Sequence, residues 1–188
     1  VLSDMVARCG KIPPRPAAKI VRDVARALAF AHDQGVFHRD VKPQNVIVEP
    51  GADSESLFVS GARPVDTSIT LSSGRSIADY RVVLTDFGLA RDVAADTRLT
   101  QTGTVFGSPA YMSPEQARGD RDRVDALSDV YSLGAVLYEL LAGRPPFDGI
   151  SPGEVVRKVI DEDPPPPRSL VPGLSRDIEV ICLKAMHK

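Results

Sequence analysis

The sequence contains little cysteine, no tryptophan and no long apolar run. Its two cysteines, Cys9 and Cys182, lie far apart in a chain of 188 residues. This spacing excludes a disulfide scaffold and a cysteine-rich zinc site, and it indicates a reducing compartment. The longest apolar stretch, 133–141, is interrupted by Glu139 and is shorter than the roughly 18 residues that a membrane span needs.

An excess of either charge is also missing. Lysine and arginine total 23 against 25 aspartates and glutamates, which gives a net charge of -2. Without a basic surplus the chain is not expected to bind nucleic acid or an anionic membrane. The sequence predicts a cytoplasmic globular protein, with a membrane anchor outside this chain left open. Neither end resembles a natural terminus, so both are expected to be cut.

Helical periodicity dominates what is present. Ile20, Val24, Leu28 and Ala31 form one apolar stripe, and Gly35 suits the left-handed stop of that helix. Residues 127–142 are apolar around nearly the whole circumference, which predicts a buried helix.

Two short β-branched runs, 46–48 and 82–84, predict paired strands. The segment between them, 50–79, is rich in serine, glycine and aspartate and is expected to be a surface insertion. The fold class is therefore α+β, mainly helical, with one small β-hairpin.

Helix signals continue toward the end of the chain. Ser151 begins a capping box, and Ser175 is expected to cap a last helix. On that last helix the residues predicted to share a buried face are Ile178, Ile181, Cys182 and Ala185. Four prolines at 164–167 predict an extended link before it.

Polar side chains stand at both ends of the predicted hairpin. Asp40, Lys42 and Asn45 precede its first strand, and Asp86 follows its second. The amide oxygen of Asn45 and the carboxylate of Asp86 suit Mg²⁺, which prefers few protein ligands. Asp40 is then free to accept a hydroxyl proton, and Lys42 supplies a positive charge. Together these groups suit phosphoryl transfer, which needs positioning and charge stabilisation.

These residues resemble a known signature. His-Arg-Asp-Val-Lys-Pro-Gln-Asn at 38–45, followed by Asp-Phe-Gly at 86–88, resembles the catalytic motifs of protein kinases, in their serine/threonine branch. Gly-Ser-Pro-Ala-Tyr-Met-Ser-Pro-Glu at 107–115 resembles the substrate-facing loop and the A-P-E motif. The sequence of residues 112–119 is similar to the corresponding segment of bacterial kinases. The resemblance implies a partial kinase domain, the large lobe, over residues 1–188.

The resemblance also implies roles for single residues. Asp40 would orient and deprotonate a substrate serine or threonine, and Lys42 would contact the γ-phosphate. Asn45 and Asp86 would hold Mg²⁺, and Ile47 would form the floor under the adenine of ATP.

Substrate selection and regulation follow from the same resemblance. Ser108 would hydrogen-bond near Asp40 and Lys42, which helps to admit serine or threonine. Phosphate on Thr100 or Thr102 would pair with Arg39 and order the loop. The implied partners are ATP and protein substrates, and a kinase dimer is left open.

The chain also departs from the family pattern. It contains no G-x-G-x-x-G motif, no V-A-I-K-type lysine and no helix with the partner glutamate. We therefore expect this lobe to be inactive in isolation. The arginine that pairs with the A-P-E glutamate is missing too, so a buried Glu115 is expected to carry an uncompensated charge.

Other residues have simpler interpretations. His38 is expected to pack under Phe87, and Asp129 to anchor the backbone near Arg39, while His32 is expected to have no chemical role. The alternative to an enzyme is a non-catalytic kinase-like lobe that acts as a scaffold. The presence of all four polar residues at the hairpin favours the enzyme.

Overall fold

A computed structural model of the chain describes residues 1–50, 80–87 and 108–188. Its helices are α1 (Leu2–Cys9), α2 (Pro14–Asp33), α3 (Pro114–Arg118), α4 (Ala126–Ala142), α5 (Pro152–Asp161), α6 (Pro167–Leu170) and α7 (Arg176–Ala185). Its strands are β1 (Val46–Pro50) and β2 (Tyr80–Leu84). The predicted insertion beyond Pro50, and Thr100 and Thr102, lie outside the described residues.

Helix α4 is buried around most of its circumference, as its sequence predicts. It starts one residue earlier than expected, because the side chain of Asp125 accepts a hydrogen bond from the backbone N–H of Leu127 at 2.8 Å. It ends at Gly143, whose φ is 76°. A Cβ at this position would lie 2.5 Å from the carbonyl oxygen of Gly10, so only glycine fits there.

Helices α2 and α7 both pack against α4. The buried side of α2 consists of Ala17, Ile20, Val24 and Leu28, which confirms the predicted stripe except at Ala31, which is only half-buried. The close packing of α7 against α4 depends on Gly134 of α4. A Cβ on Gly134 would lie 2.8 Å from Met186 and 2.9 Å from Ala185.

The two strands pair antiparallel, in a register that runs from Val46 opposite Leu84 to Pro50 opposite Tyr80. This confirms the predicted hairpin and extends each strand by two residues. Val46 and Leu84 are buried. Their burial stabilises the end of the ribbon at which the polar residues of the motifs stand.

The capping predictions for the later helices are largely confirmed. Ser151 accepts a hydrogen bond from the backbone N–H of Glu154, and Ser175 accepts one from Asp177. The capping box at Ser151 is incomplete, since the Glu154 carboxylate accepts from the backbone N–H of Ile150 instead, at 2.9 Å.

Two expectations about the last part of the chain are wrong in detail. The proline run does not stay extended throughout, because Pro167 begins α6, where the first helical position tolerates proline. Ile181 does not share the buried face of α7, since 60% of it is exposed. Met186 is buried against α4 instead.

The described parts of the chain are thus mostly helical, with a two-stranded antiparallel sheet. Across residues 1–50, 80–87 and 108–188, no helix combines the length and the apolar character needed to cross a membrane.

Candidate active site

The strand register places the residue that precedes β1 beside the residues that follow β2. The backbone N–H of Thr85 donates to the carbonyl oxygen of Asn45 at 2.9 Å. The hydroxyl of Thr85 lies 3.2 Å from the same oxygen and 3.4 Å from the carboxylate of Asp86. Asn45 and Asp86 are therefore neighbours at one end of the ribbon, as the predicted hairpin requires.

Asp40 is held by two neighbours on its own loop. One oxygen of its carboxylate, Oδ2, lies 2.6 Å from Nζ of Lys42 and 3.1 Å from Nδ2 of Asn45. The side chain of Asp40 nevertheless keeps 42% of its surface exposed, while that of Lys42 keeps 21%. The carboxylate is thus oriented by the protein and still accessible to a substrate hydroxyl.

The amide of Asn45 has a defined orientation. Nδ2 donates to the backbone carbonyl of Asp40 at 2.9 Å as well as to its carboxylate. The amide oxygen is then the atom left for another ligand, and no other described residue donates to it. With the carboxylate of Asp86, Asn45 offers two hard oxygen donors, a set that fits Mg²⁺.

His38 connects the two loops. Its Nδ1 accepts from the backbone N–H of Asp40 at 3.2 Å, and its Nε2 lies 2.8 Å from the carbonyl oxygen of Thr85, to which it donates. Its ring contacts Phe87 edge-on, with the centroids 4.8 Å apart. The side chain is fully buried. The prediction that His38 packs against Phe87 is confirmed.

Asp129 of α4 anchors the start of the loop 38–45, which carries Asp40 and Asn45. Its buried carboxylate accepts hydrogen bonds from the backbone N–H groups of His38 and Arg39, at 2.8 and 2.7 Å. This confirms the anchoring prediction. His32 also contacts this carboxylate, through Nε2 at 2.8 Å, which sequence reasoning missed. His32 lies on α2, whereas His38 begins the 38–45 motif, so nothing in the sequence indicates that they share a partner.

The segment 108–115, which resembles the substrate-facing loop of kinases, contains a second contact that sequence reasoning missed. The hydroxyl of Tyr111 donates to Oε2 of Glu139 on α4 at 2.6 Å. Burial raises the pKa of the Glu139 carboxyl, and this hydrogen bond opposes the rise. Burial and the nearby Glu139 also raise the pKa of Tyr111, so its hydroxyl stays protonated as the donor.

Ser108 is exposed and stands directly before the short 3₁₀ helix Pro109–Tyr111. Among the described residues it makes no hydrogen bond to Asp40 or Lys42. Ile47 is half-buried in β1, and Arg39 is exposed, with its guanidinium carbon 6.0 Å from the ring centroid of Phe37. The roles assigned to these three residues stay predictions.

The expected burial of Glu115 needs correction, although among the described residues no basic group lies within ion-pair distance of it. Glu115 is half-buried, and its carboxylate accepts a hydrogen bond from the hydroxyl of Ser128. The neighbouring group without a partner is the buried hydroxyl of Tyr131, in the part of the chain that the structure describes. Burial, and then Glu115, raise the pKa of Tyr131.

Residues 1–170 match the family model of the protein kinase domain, and the chain belongs to this family. It is 43% identical over 187 residues to the serine/threonine-protein kinase PknB of Mycobacterium leprae. It is also 41% identical over 188 residues to PknB of Mycobacterium tuberculosis, strain H37Rv. A probable serine/threonine-protein kinase PknB of Corynebacterium glutamicum is 38% identical over 192 residues.

Each of these alignments covers 100% of this chain and 25% of the relative. The chain therefore spans about a quarter of the length of the curated relatives that it matches.

Proposed function

We propose that the protein carrying this chain is a serine/threonine protein kinase that uses ATP and Mg²⁺, and that this chain forms its large lobe. The observation that carries the proposal is the carboxylate of Asp40, oriented by Lys42 and Asn45 but 42% exposed. The hydroxyl of Thr85 lies within hydrogen-bonding distance of both Asn45 and Asp86, so Asp86 stands at the same end of the ribbon. The relatives PknB of Mycobacterium leprae and Mycobacterium tuberculosis are named serine/threonine-protein kinases, which supports the same reaction.

In this proposal each residue has a defined task. Asp40 accepts the proton of the substrate hydroxyl as that oxygen attacks the γ-phosphorus of ATP and the bond from that phosphorus to the bridging oxygen of the leaving ADP breaks. Lys42, 2.6 Å from Asp40, places its charge where the transferred phosphoryl group becomes more negative. Asn45 and Asp86 would hold Mg²⁺, which, when bound, neutralises phosphate oxygens. Ile47 would contact the adenine from β1, and Ser108 would help to select serine or threonine.

The proposed regulation involves Arg39. Its exposed guanidinium next to Phe37 could pair with a phosphate on Thr100 or Thr102, placed there by the kinase itself. Phosphopeptide mass spectrometry of the active full-length protein is expected to find phosphate on at least one of these threonines. A fully active protein with both threonines unmodified contradicts this part of the proposal.

The main test is Asp40→Asn in the full-length protein. Transfer from radiolabelled ATP to the protein itself and to a serine- and threonine-containing peptide mixture is expected to fall about 10²- to 10⁴-fold. The thermal unfolding midpoint should change little, because this side chain is partly exposed. Asp33→Asn makes the same chemical change at an exposed position at the end of α2 and should leave transfer unchanged.

The outcomes separate the enzyme from the scaffold. An Asp40→Asn protein that transfers phosphate as fast as the wild type contradicts the assignment of Asp40. A wild-type full-length protein that shows no transfer at all, with bound Mg²⁺ and nucleotide, favours the non-catalytic lobe.

The metal assignment has its own test. Asp86→Asn removes one negative oxygen ligand, so the Mg²⁺ concentration that gives half-maximal transfer is expected to rise at least about tenfold. A transfer rate with the wild-type dependence on Mg²⁺ contradicts the role of Asp86.

A further inference from the structure

Arg39, which directly precedes Asp40, has a strained backbone. Its φ is 66°, and among the described residues other than glycine only Asp86 shares this left-handed conformation. A residue with a Cβ adopts it at a cost in free energy, so the surrounding contacts must hold it there.

Both polar backbone groups of Arg39 are held, and by different helices. Its N–H donates to Oδ1 of Asp129 on α4 at 2.7 Å. Its carbonyl oxygen accepts from Nε2 of Gln116 on α3, also at 2.7 Å. The segment 108–115, which resembles the substrate-facing loop of kinases, runs into α3, so Gln116 joins that segment to the loop 38–45, which carries Asp40.

The carbonyl that Gln116 binds belongs to the peptide group between Arg39 and Asp40. The N–H of the same peptide group is the backbone N–H of Asp40, which donates to Nδ1 of His38 at 3.2 Å. The orientation of this peptide plane is thus set from both sides, by Gln116 and by His38. Because the plane leads directly into Asp40, its rotation would move the carboxylate.

The amide of Gln116 is used at both of its ends. Its Oε1 accepts from the backbone N–H of Ser113 at 3.0 Å and from the hydroxyl of Ser113 at 3.2 Å. These contacts cap α3 and leave Nε2 facing Arg39. A glutamate could still cap the helix, but it would place a carboxylate oxygen against the carbonyl of Arg39.

We propose that Gln116 is a positioning residue for phosphoryl transfer: its Nε2–H donor sets the Arg39–Asp40 peptide and so couples the position of Asp40 to the substrate-facing segment. This inference rests on the proposed kinase function. It predicts that catalysis needs a hydrogen-bond donor at position 116, whereas the stability of α3 needs an acceptor there.

Two substitutions in the full-length protein separate these needs. Gln116→Glu keeps the acceptor and loses the donor, while Gln116→Lys keeps a donor and loses the acceptor. We expect kcat to fall at least about tenfold in Gln116→Glu, with KM for ATP within about twofold, because small displacements of a catalytic group are costly. In Gln116→Lys we expect kcat to stay within about threefold of wild type, although its unfolding midpoint falls further.

The matched control is Gln34→Glu, the same change at an exposed residue after α2, which should leave kcat unchanged. A structural role alone would order the variants by stability, with Gln116→Lys the less active. That order, or wild-type kcat in Gln116→Glu, overturns the proposal.

Hydrogen–deuterium exchange of segment 36–45 tests the coupling without activity. Exchange is expected to be faster in Gln116→Glu than in the wild type and in Gln34→Glu. If the wild type transfers no phosphate, the kinase proposal fails, and faster exchange still supports the structural coupling. Unchanged exchange overturns the coupling whatever the activity.

Discussion

Helix α4 and the ribbon formed by β1 and β2 differ in how much of each is buried, and so in their contribution to stability and to the site. Thirteen of the 17 residues of α4 are buried, whereas among the described side chains of the ribbon only Val46 and Leu84 are. The polar groups proposed to do chemistry stand at the ribbon's end, and Asp129 on α4 holds the loop that carries them. The interior supplies rigidity, and the ribbon supplies accessible groups. Changes in the buried side chains of α4 should therefore lower stability, and changes in the partly exposed polar groups at the ribbon's end should lower activity with little effect on stability.

The largest effect is expected for Asp129→Ala, where the two regions meet. The substitution leaves the buried N–H groups of His38 and Arg39 without their acceptor and removes the contact with His32. The free energy of unfolding should fall by about 3 kcal/mol or more, as measured by urea denaturation. Asp33→Ala, at an exposed position, is the control. A loss below about 1 kcal/mol would contradict the anchoring role.

A smaller loss is expected for Gly134→Ala, inside the interior alone. The added Cβ meets Met186 at 2.8 Å and Ala185 at 2.9 Å, so α7 must shift. Overpacking of this kind costs about 1–3 kcal/mol. Gly153→Ala on α5 is the control with the opposite sign, because no heavy atom lies within 4 Å of its Cβ. Alanine should stabilise that helix by up to about 1 kcal/mol. Equal effects of the two variants would contradict the packing of α7 on α4.

The pH dependence of stability tests Glu139, a half-buried carboxyl on α4 that accepts a hydrogen bond from Tyr111. Because burial raises its pKa in the folded chain, its protonated form favours folding and its charged form opposes it. The stability of the wild type relative to Glu139→Gln should therefore fall as the pH rises from below the ordinary glutamate pKa through the raised value. Urea denaturation from pH 4 to pH 8 measures this difference. A difference that does not change with pH contradicts the partial burial of this carboxyl.

The control for this titration is Glu49→Gln, which removes a carboxylate from an exposed position on β1. The contact of Tyr111 can be tested in the same series. Tyr111→Phe removes the hydrogen bond that opposes the rise in the pKa of Glu139, so that pKa should move further upward.

The smallest expected effect is a difference in thiol reactivity between Cys182, which is buried against α4, and Cys9, which is half-buried. Burial raises the pKa of Cys182 to about 12, and its Sγ lies 3.5 Å from the carbonyl oxygen of Gly134. A thiol reagent should label Cys9 at once in the native chain and Cys182 only after unfolding. Rapid native labelling of Cys182 would show that α7 separates readily from α4.

Local sequence patterns predict much of the fold. The helix of 127–142, the stripe of α2 and the paired strands were all visible as periodicity, because side-chain burial imposes it on neighbouring positions. The predictions that were wrong concern which side chains of a helix are buried, and this depends on the element that packs against that helix. Nothing in the spacing of the apolar residues distinguishes Ile181 from Cys182, and only the packing of α7 against α4 shows that Cys182 is buried and Ile181 exposed.

The candidate site divides in the same way. The antiparallel strands place Asn45 and Asp86 at one end of the ribbon, and Asn45 contacts Asp40, as the two β-branched runs and the polar residues beside them predict. The contact of Gln116 with Arg39 joins residues that are 77 positions apart, and no spacing rule connects them. The partners of His32 and Tyr111 belong to the same class of long-range contacts.

Residue types and their order by themselves determined the family resemblance, the helical class and the set of polar groups available for phosphoryl transfer. The tertiary structure alone decided how those groups are held: Asp129 and Gln116 clamp Arg39, His38 joins both loops, and Ser128 meets Glu115. The physical reason is range. Periodicity and turn chemistry act between near neighbours in the chain, whereas a buried hydrogen bond depends on which distant surfaces pack together.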